Sequence, residues 1–182
     1  MARTSKNVSQ RQLYGLLTGF GLVLTVLIVL ATIGAWAGYT FATNQVGSQL
    51  SQEKISFPAA GSTGFDASEY PSLQQYAGQP VDNGVKAKAY ADDYIWHHMM
   101  KASGGKTYAE VSAAAKADPS NTALAGLKAT LFQGDMLRSS LLTAYAFSVF
   151  GIIAGYAVVV SLLASGVVLF LTFISFIKAK RA

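Results

Sequence analysis

The chain has no cysteine, four prolines and two histidines in 182 residues, and only 13% of its side chains are charged. Without cysteine there are no disulfides, cysteine-held zinc or iron–sulfur centres, covalently attached haem or thiol nucleophile. An ordinary soluble domain is nearer a quarter charged, so this surface is short of charge for water. Acid is missing from both ends: residues 1–12 carry Arg3, Lys6 and Arg11, and residues 178–182 carry Lys178, Lys180 and Arg181. The rest holds 8 basic and 9 acidic residues, so the net charge of +5 reports two basic tails around a near-neutral middle. That distribution is not the basic patch of a nucleic-acid-binding protein.

What fills the space is apolar. Gln12 to Gln52 contains no Asp, Glu, Lys or Arg, and Leu13 to Ala37 holds thirteen Leu, Ile, Val or Phe residues. At roughly −0.3 to −0.6 kcal/mol each, these favour membrane insertion by about 4–8 kcal/mol before glycine costs. A second charge-free run covers Ser139 to Ile177. Both exceed the ~20 residues that span a hydrocarbon core. Arg3, Lys6 and Arg11, the apolar stretch and Ala35-Trp36-Ala37 imitate a cleavable secretory signal, but the stretch outruns an h-region of about 7–15 residues. A retained span is expected.

The expected fold is an all-α membrane protein: a two-helix transmembrane hairpin with a small, mainly helical external domain inserted between the spans. The basic ends place both termini in the cytoplasm of a cell-membrane protein by the positive-inside rule. The divisions are a cytoplasmic tail at 1–12, a first span at 13–41, an extracytoplasmic domain at 42–138, a second span with an outer extension at 139–177 and a tail at 178–182. Tyr14 on one side and Trp36, Tyr39 and Phe41 on the other mark the interfaces of the first span. Tails this short leave no room for a kinase or nucleotide site.

Neither span carries a His, Asp, Glu, Lys or Arg, the residues that mark proton relays, ion paths and haem ligation. The spans are instead expected to pack through small-xxx-small pairs. Counted from Arg11 and from Lys178, Gly34/Gly38 and Gly155/Gly151 fall level, so the hairpin is expected to close there. Gly15/Gly19 is then left for another subunit. The second run would make roughly 58 Å of helix against a core of about 30 Å. Its excess, around Leu141 to Phe150, presents an apolar collar for the external domain or a neighbour to cover. Gly15, Gly19, Leu141 and Tyr145 are the candidate partner face.

Between the runs, Thr43 to Pro80 reads as extended and loop-like, with a short strand-like stretch at Ile55 to Phe57. A helix is expected from Val85 to about Ala102, stopped by Gly104-Gly105. Thr107 to Glu110 has capping-box spacing and opens a helix to about Ala117. Asp118-Pro119-Ser120-Asn121 breaks that helix and caps the next, in which Leu124, Leu127 and Leu131 keep helical spacing into the second run. The one chemically suggestive cluster is Trp96-His97-His98-Met99-Met100 behind Asp92 and Asp93. Asp93 and His97 share a helix face and are the one candidate metal pair, of copper type. Adjacent histidines point about 100° apart on a helix, and a catalytic zinc or iron site takes three protein ligands. The expected role is therefore structural, with Tyr90, Tyr94, His97 and Met100 facing protein. No GxSxG elbow, phosphate loop or HExxH is present; no cofactor, catalytic residue or enzymatic activity is expected.

Ser48–Ile55 (SQLSQEKI), Tyr76–Val81 (YAGQPV), Tyr90–Met99 (YADDYIWHHM), Ser103–Glu110 (SGGKTYAE) and Met136–Tyr145 (MLRSSLLTAY) follow one another between the spans. In this the chain resembles a family of small actinobacterial two-span membrane proteins over residues 10–178, most specifically in GGKTYAE and the LRSSL entry to the second span. Members often carry the label of aromatic ring-opening dioxygenase, for which this sequence supplies no iron site. Small membrane proteins of this kind occur as accessory subunits of the respiratory supercomplex that joins cytochrome bc to cytochrome oxidase. The resemblance implies such a role in electron transport, with larger integral membrane subunits and the lipid bilayer as partners. The alternative expectation is a free-standing envelope protein whose external domain binds a ligand, lipid or cell-wall component.

Overall fold

A computed structural model describes residues 9–181; Arg3 and Lys6 of the basic N-terminal tail lie outside them. Most of the described residues are helical, with no strand among them. Helix α1 covers Gln10–Glu53, a 3-10 turn Pro71–Tyr76, α2 Gly84–Ala89, a π turn Tyr90–Ile95, α3 Trp96–Ser103, α4 Tyr108–Ala117 and α5 Thr122–Arg181. Helices α1 and α5 are each long and apolar enough to cross a membrane. The chain divides into two compact units, one of residues up to Thr40 and from Ile152, the other Phe41–Gly151.

The first unit is an antiparallel helix pair. Its least exposed positions include Thr18, Gly21, Thr25, Ile28 and Thr32 on α1, and Val158, Ser161, Ser165, Val168 and Thr172 on α5. Both rows advance by alternating steps of three and four, the period that keeps one seam in contact as two helices coil together. The seam is small and hydroxyl-rich: Thr25, Ser165 and Thr172 are 7–8% exposed, while Leu16 and Phe20 on the outer face are 69% and 68% exposed. A buried hydroxyl is tolerated because its own helix satisfies it: Thr25 donates to the Gly21 carbonyl at 2.8 Å and Thr172 to the Val168 carbonyl at 2.7 Å. Thr32 Oγ1 and Ser161 Oγ lie 2.8 Å apart across the seam, with the Ile28 and Val158 carbonyls as the alternative acceptors. Gly21 faces Thr172 so closely that a Cβ there would collide with the threonine side chain. The Lys178 ammonium lies over the Tyr14 ring, 5.5 Å from its centre.

The second unit packs the opposite way. Phe57, Phe65, Leu73, Val81, Val111 and Leu131 are fully buried, and Val46, Leu50 and Leu141 join the same cluster. Three features differ from the sequence expectation. Residues 43–53 are helical rather than extended, because Ala42, Val46 and Leu50 recur at four-residue steps and each buries its side chain. The strand-like stretch makes one antiparallel bridge, Ser56 with Pro80, flanked by Phe57 N–H to the Gln79 carbonyl and Val81 N–H to the Ile55 carbonyl, both 2.9 Å. The helix expected over 85–102 is interrupted by the π turn.

The stops and starts are where local chemistry puts them. Asn83 Oδ1 accepts from Lys86 N–H at 3.0 Å and opens α2. Gly104 and Gly105 take φ of 64° and 83°, and Gly105 N–H returns to the Met100 carbonyl at 2.8 Å. Thr107 and Glu110 form the reciprocal capping box of α4, and Asn121 Oδ1 accepts from Leu124 N–H at 3.1 Å to start α5.

Candidate functional site

The polar side chains of the second unit converge on the face of the α2–π–α3 segment. Ala87, Ala91, Ile95, Met99 and Ser103 are all buried, a strict four-residue repeat. At 3.6 residues per turn such a row drifts by about 40° per step and leaves the core within a few steps. The wider π turn offsets that drift. A second row, Tyr90, Tyr94 and His98, runs beside it, with ring centres 5.0 Å and 4.5 Å apart. The expected protein-facing set of Tyr90, Tyr94, His97 and Met100 assumed unbroken α spacing. With the π turn, His98 rather than His97 continues the aromatic row, and Met99 rather than Met100 enters the core.

The loop before the 3-10 turn docks on these rows. Phe65 stacks on Tyr70 at 5.7 Å, and Tyr70 stacks on His98, also at 5.7 Å. The Tyr70 hydroxyl and His98 Nδ1 share a hydrogen bond of 2.9 Å. Burial, then the negative charge of Glu69, pushes the Tyr70 phenol up to about 12, so it stays protonated and neutral. Glu69 Oε1 accepts from Lys101 Nζ at 2.7 Å and from His97 Nε2 at 2.8 Å. A carboxylate only accepts, so Nε2 of His97 carries a proton. The Lys101 bond first, then the His97 bond, holds the Glu69 carboxyl below its usual range.

A second group ties the segment to α5. Arg138 donates to Asp92 Oδ1 at 2.9 Å while its guanidinium lies over the Trp96 ring, 4.5 Å from the ring centre. Lys88 pairs with the other Asp92 oxygen and lies 5.6 Å above the centre of the Tyr145 ring. The Lys88 bond is the main reason the Asp92 carboxyl is lowered, with Arg138 adding to it. Between the groups lies a cleft of about 330 Å³ lined by Glu69, Tyr70, Asp93, Trp96, His97 and Met100, among others. In chemical terms two of its three acids, Glu69 and Asp92, are ionised and bound by neighbouring cations, and its phenol is neutral. That arrangement clamps loop to helix.

The residues singled out from sequence are distributed as follows. Asp93 and His97 both line the cleft, but His97 bonds Glu69, and the described residues contain no group of three His, Asp or Glu placed to hold a metal ion. A Cβ on Gly155 would stand 3.2 Å from the Tyr39 ring, and one on Gly151 would stand 3.2 Å from Ala42 Cβ. Gly34 and Gly38 meet nothing, so the four glycines are not brought together. Gly151 faces Ala42 where Gly38 was expected, a shift of one turn. Gly15 and Gly19 also have open space at their Cβ positions. Leu141, expected on an exposed partner face, is 2% exposed within the core of the second unit, and Tyr145 is half-buried beneath Lys88. The collar is thus covered at Leu141 by its own unit, while Phe147 and Phe150 remain exposed.

Sequence spacing points to neither Tyr70 nor Arg138, and it marks His98 only as one of an adjacent histidine pair. A Cβ on Gly84 would collide with the Ser148 side chain, so glycine lets the start of α2 approach α5. The pairs Glu69–His97 and Arg138–Asp92 are 28 and 46 residues apart, and no local spacing announces them.

By fold, the chain is an all-helical protein with two long apolar helices. No protein-family model, curated protein or solved structure matches it.

Proposed function

We propose that the chain is a cell-membrane protein whose α1 and α5 cross the bilayer as a hairpin, with both termini cytoplasmic and the second unit outside. In this reading it is a non-catalytic accessory subunit of a respiratory supercomplex of cytochrome bc and cytochrome oxidase, and it braces larger subunits by packing. The observation that carries the membrane part is the inverted packing of the helix pair. Only 17% and 11% of the most apolar windows of α1 and α5 are buried, whereas the core helix of a soluble protein is mostly buried. The supercomplex assignment rests on the motif resemblance. It is supported by apolar runs without His, Asp, Glu, Lys or Arg and by a polar cluster whose paired acids and cations serve as clamps.

The test is a mild-detergent pull-down of tagged full-length protein, reading the haem absorbance of the eluate with its protein composition. Stoichiometric b-, c- and a-type haem signals are expected, since these spans carry no haem ligand. A colourless, one-component eluate across several gentle detergents overturns the supercomplex reading in favour of a free-standing envelope protein.

A further inference from the structure

Along the second unit, the outer part of α1 and the facing part of α5 leave a groove of about 470 Å³. Its lining is graded. Phe41 and Phe147 flank one end, both largely exposed at 68% and 54%. Ala42, Val46 and Ala144 contribute apolar surface, and Gln45, Gln49, Ser139, Ser140 and Thr143 supply uncharged hydrogen-bonding groups. No charged residue lines it. The nearest cation in sequence, Arg138, is turned into Asp92 and Trp96. A phosphate headgroup would therefore find no counter-charge here, whereas a sugar would find donors and acceptors without one. Phe41 and Phe147 lie on the continuations of the two apolar helices, so the aromatic end adjoins the acyl region in the membrane reading.

From this juxtaposition we infer that the groove binds a membrane lipid with a neutral, hydroxyl-rich headgroup, a glycosyl diacylglycerol in chemical class. The acyl chains pass between Phe41 and Phe147, and the sugar hydroxyls bond Gln45, Gln49, Ser140 and Thr143. The volume lies within the range of ordinary small-ligand sites. The inference rests on the membrane reading and is independent of the supercomplex.

The experiment is native mass spectrometry of the purified full-length protein in mixed micelles. The probes are digalactosyl diacylglycerol and phosphatidylglycerol with matched acyl chains. Glycolipid adducts are expected in excess over phosphatidylglycerol. The double variant Gln45→Met, Thr143→Val is expected to reduce them about tenfold, the loss of one to two neutral hydrogen bonds, with an unchanged melting temperature. A bulkier Ala144→Trp variant, checked by circular dichroism, is expected to abolish them by filling the groove. Equal or preferred retention of phosphatidylglycerol, undiminished glycolipid binding in the double variant, no lipid adduct, or a lipid-free dimer closed across the groove each overturns the proposal. Protein that stays dispersed without detergent overturns the membrane reading itself. A detergent-dependent protein with no glycolipid preference overturns the groove alone.

Discussion

The two units of this chain bury opposite kinds of residue. In the helix pair, Thr25, Ser165 and Thr172 are inside while Leu16, Phe20, Leu163 and Phe170 point out. In the unit of residues 41–151, Phe57, Phe65 and Leu73 are inside and most charges are outside. Water rewards the second arrangement by the hydrophobic effect. The first arrangement leaves leucine outside and joins its helices through close backbone approach and hydroxyl contacts, the mode that suits the membrane location proposed above. The reversal occurs within single helices: α1 exposes Leu16 and buries Leu50, and α5 buries Leu141 and exposes Leu162.

A matched pair of phenylalanine truncations separates the two units most strongly. Phe65→Ala is expected to cost about 3–5 kcal/mol, read as a fall in the denaturation midpoint of the purified protein in mild detergent. Phe20→Ala, on the exposed face of the helix pair, is expected to stay within about 0.5 kcal/mol. Equal losses would erase the contrast. Next in size is Gly84→Ala, whose new methyl meets Ser148; overpacking of this kind costs about 1–3 kcal/mol. Gly34→Ala, with open space around it, is expected to leave the midpoint unchanged.

A pH experiment addresses the clamps of the second unit. Glu69 and Asp92 have lowered carboxyl pKa values in the fold. Their contribution is therefore present above the unfolded carboxylate range and is lost as pH falls through the folded values. Stability is expected to fall on acidification from neutral pH toward 3, and Glu69→Gln is expected to flatten part of that slope. An unchanged slope in the variant would show that the Glu69 clamp contributes nothing. A small but resolvable loss is expected in the seam. Thr32→Val removes its hydroxyl contact with Ser161 and is expected to cost about 0.6 kcal/mol, resolved by a double-mutant cycle with Ser161→Ala.

How far these features could be read in advance depends on their range. The caps at Thr107 and Asn121 and the glycine stop at Gly104-Gly105 use residues within a few positions of each other, and their signatures were visible. The helical course of residues 43–53 was hidden because Thr43, Asn44, Gly47, Ser48 and Ser51 lower local helix preference, while Val46 and Leu50 gain from a core assembled by residues up to Leu141. The seam was misread because threonine and serine count as polar in a hydropathy scan, although their small volume is what lets two helices meet.

Composition and short-range pattern suffice for two long apolar helices, for the stops and starts of their neighbours, and for apolar runs without His, Asp, Glu, Lys or Arg. These follow from composition and from contacts within one or two helical turns. Tertiary structure decided which small residues form the seam, that a π turn carries His98 into the aromatic row and leaves His97 to Glu69, and that Leu141 is core. Each of these is a choice of register between distant segments, and packing across the fold makes that choice.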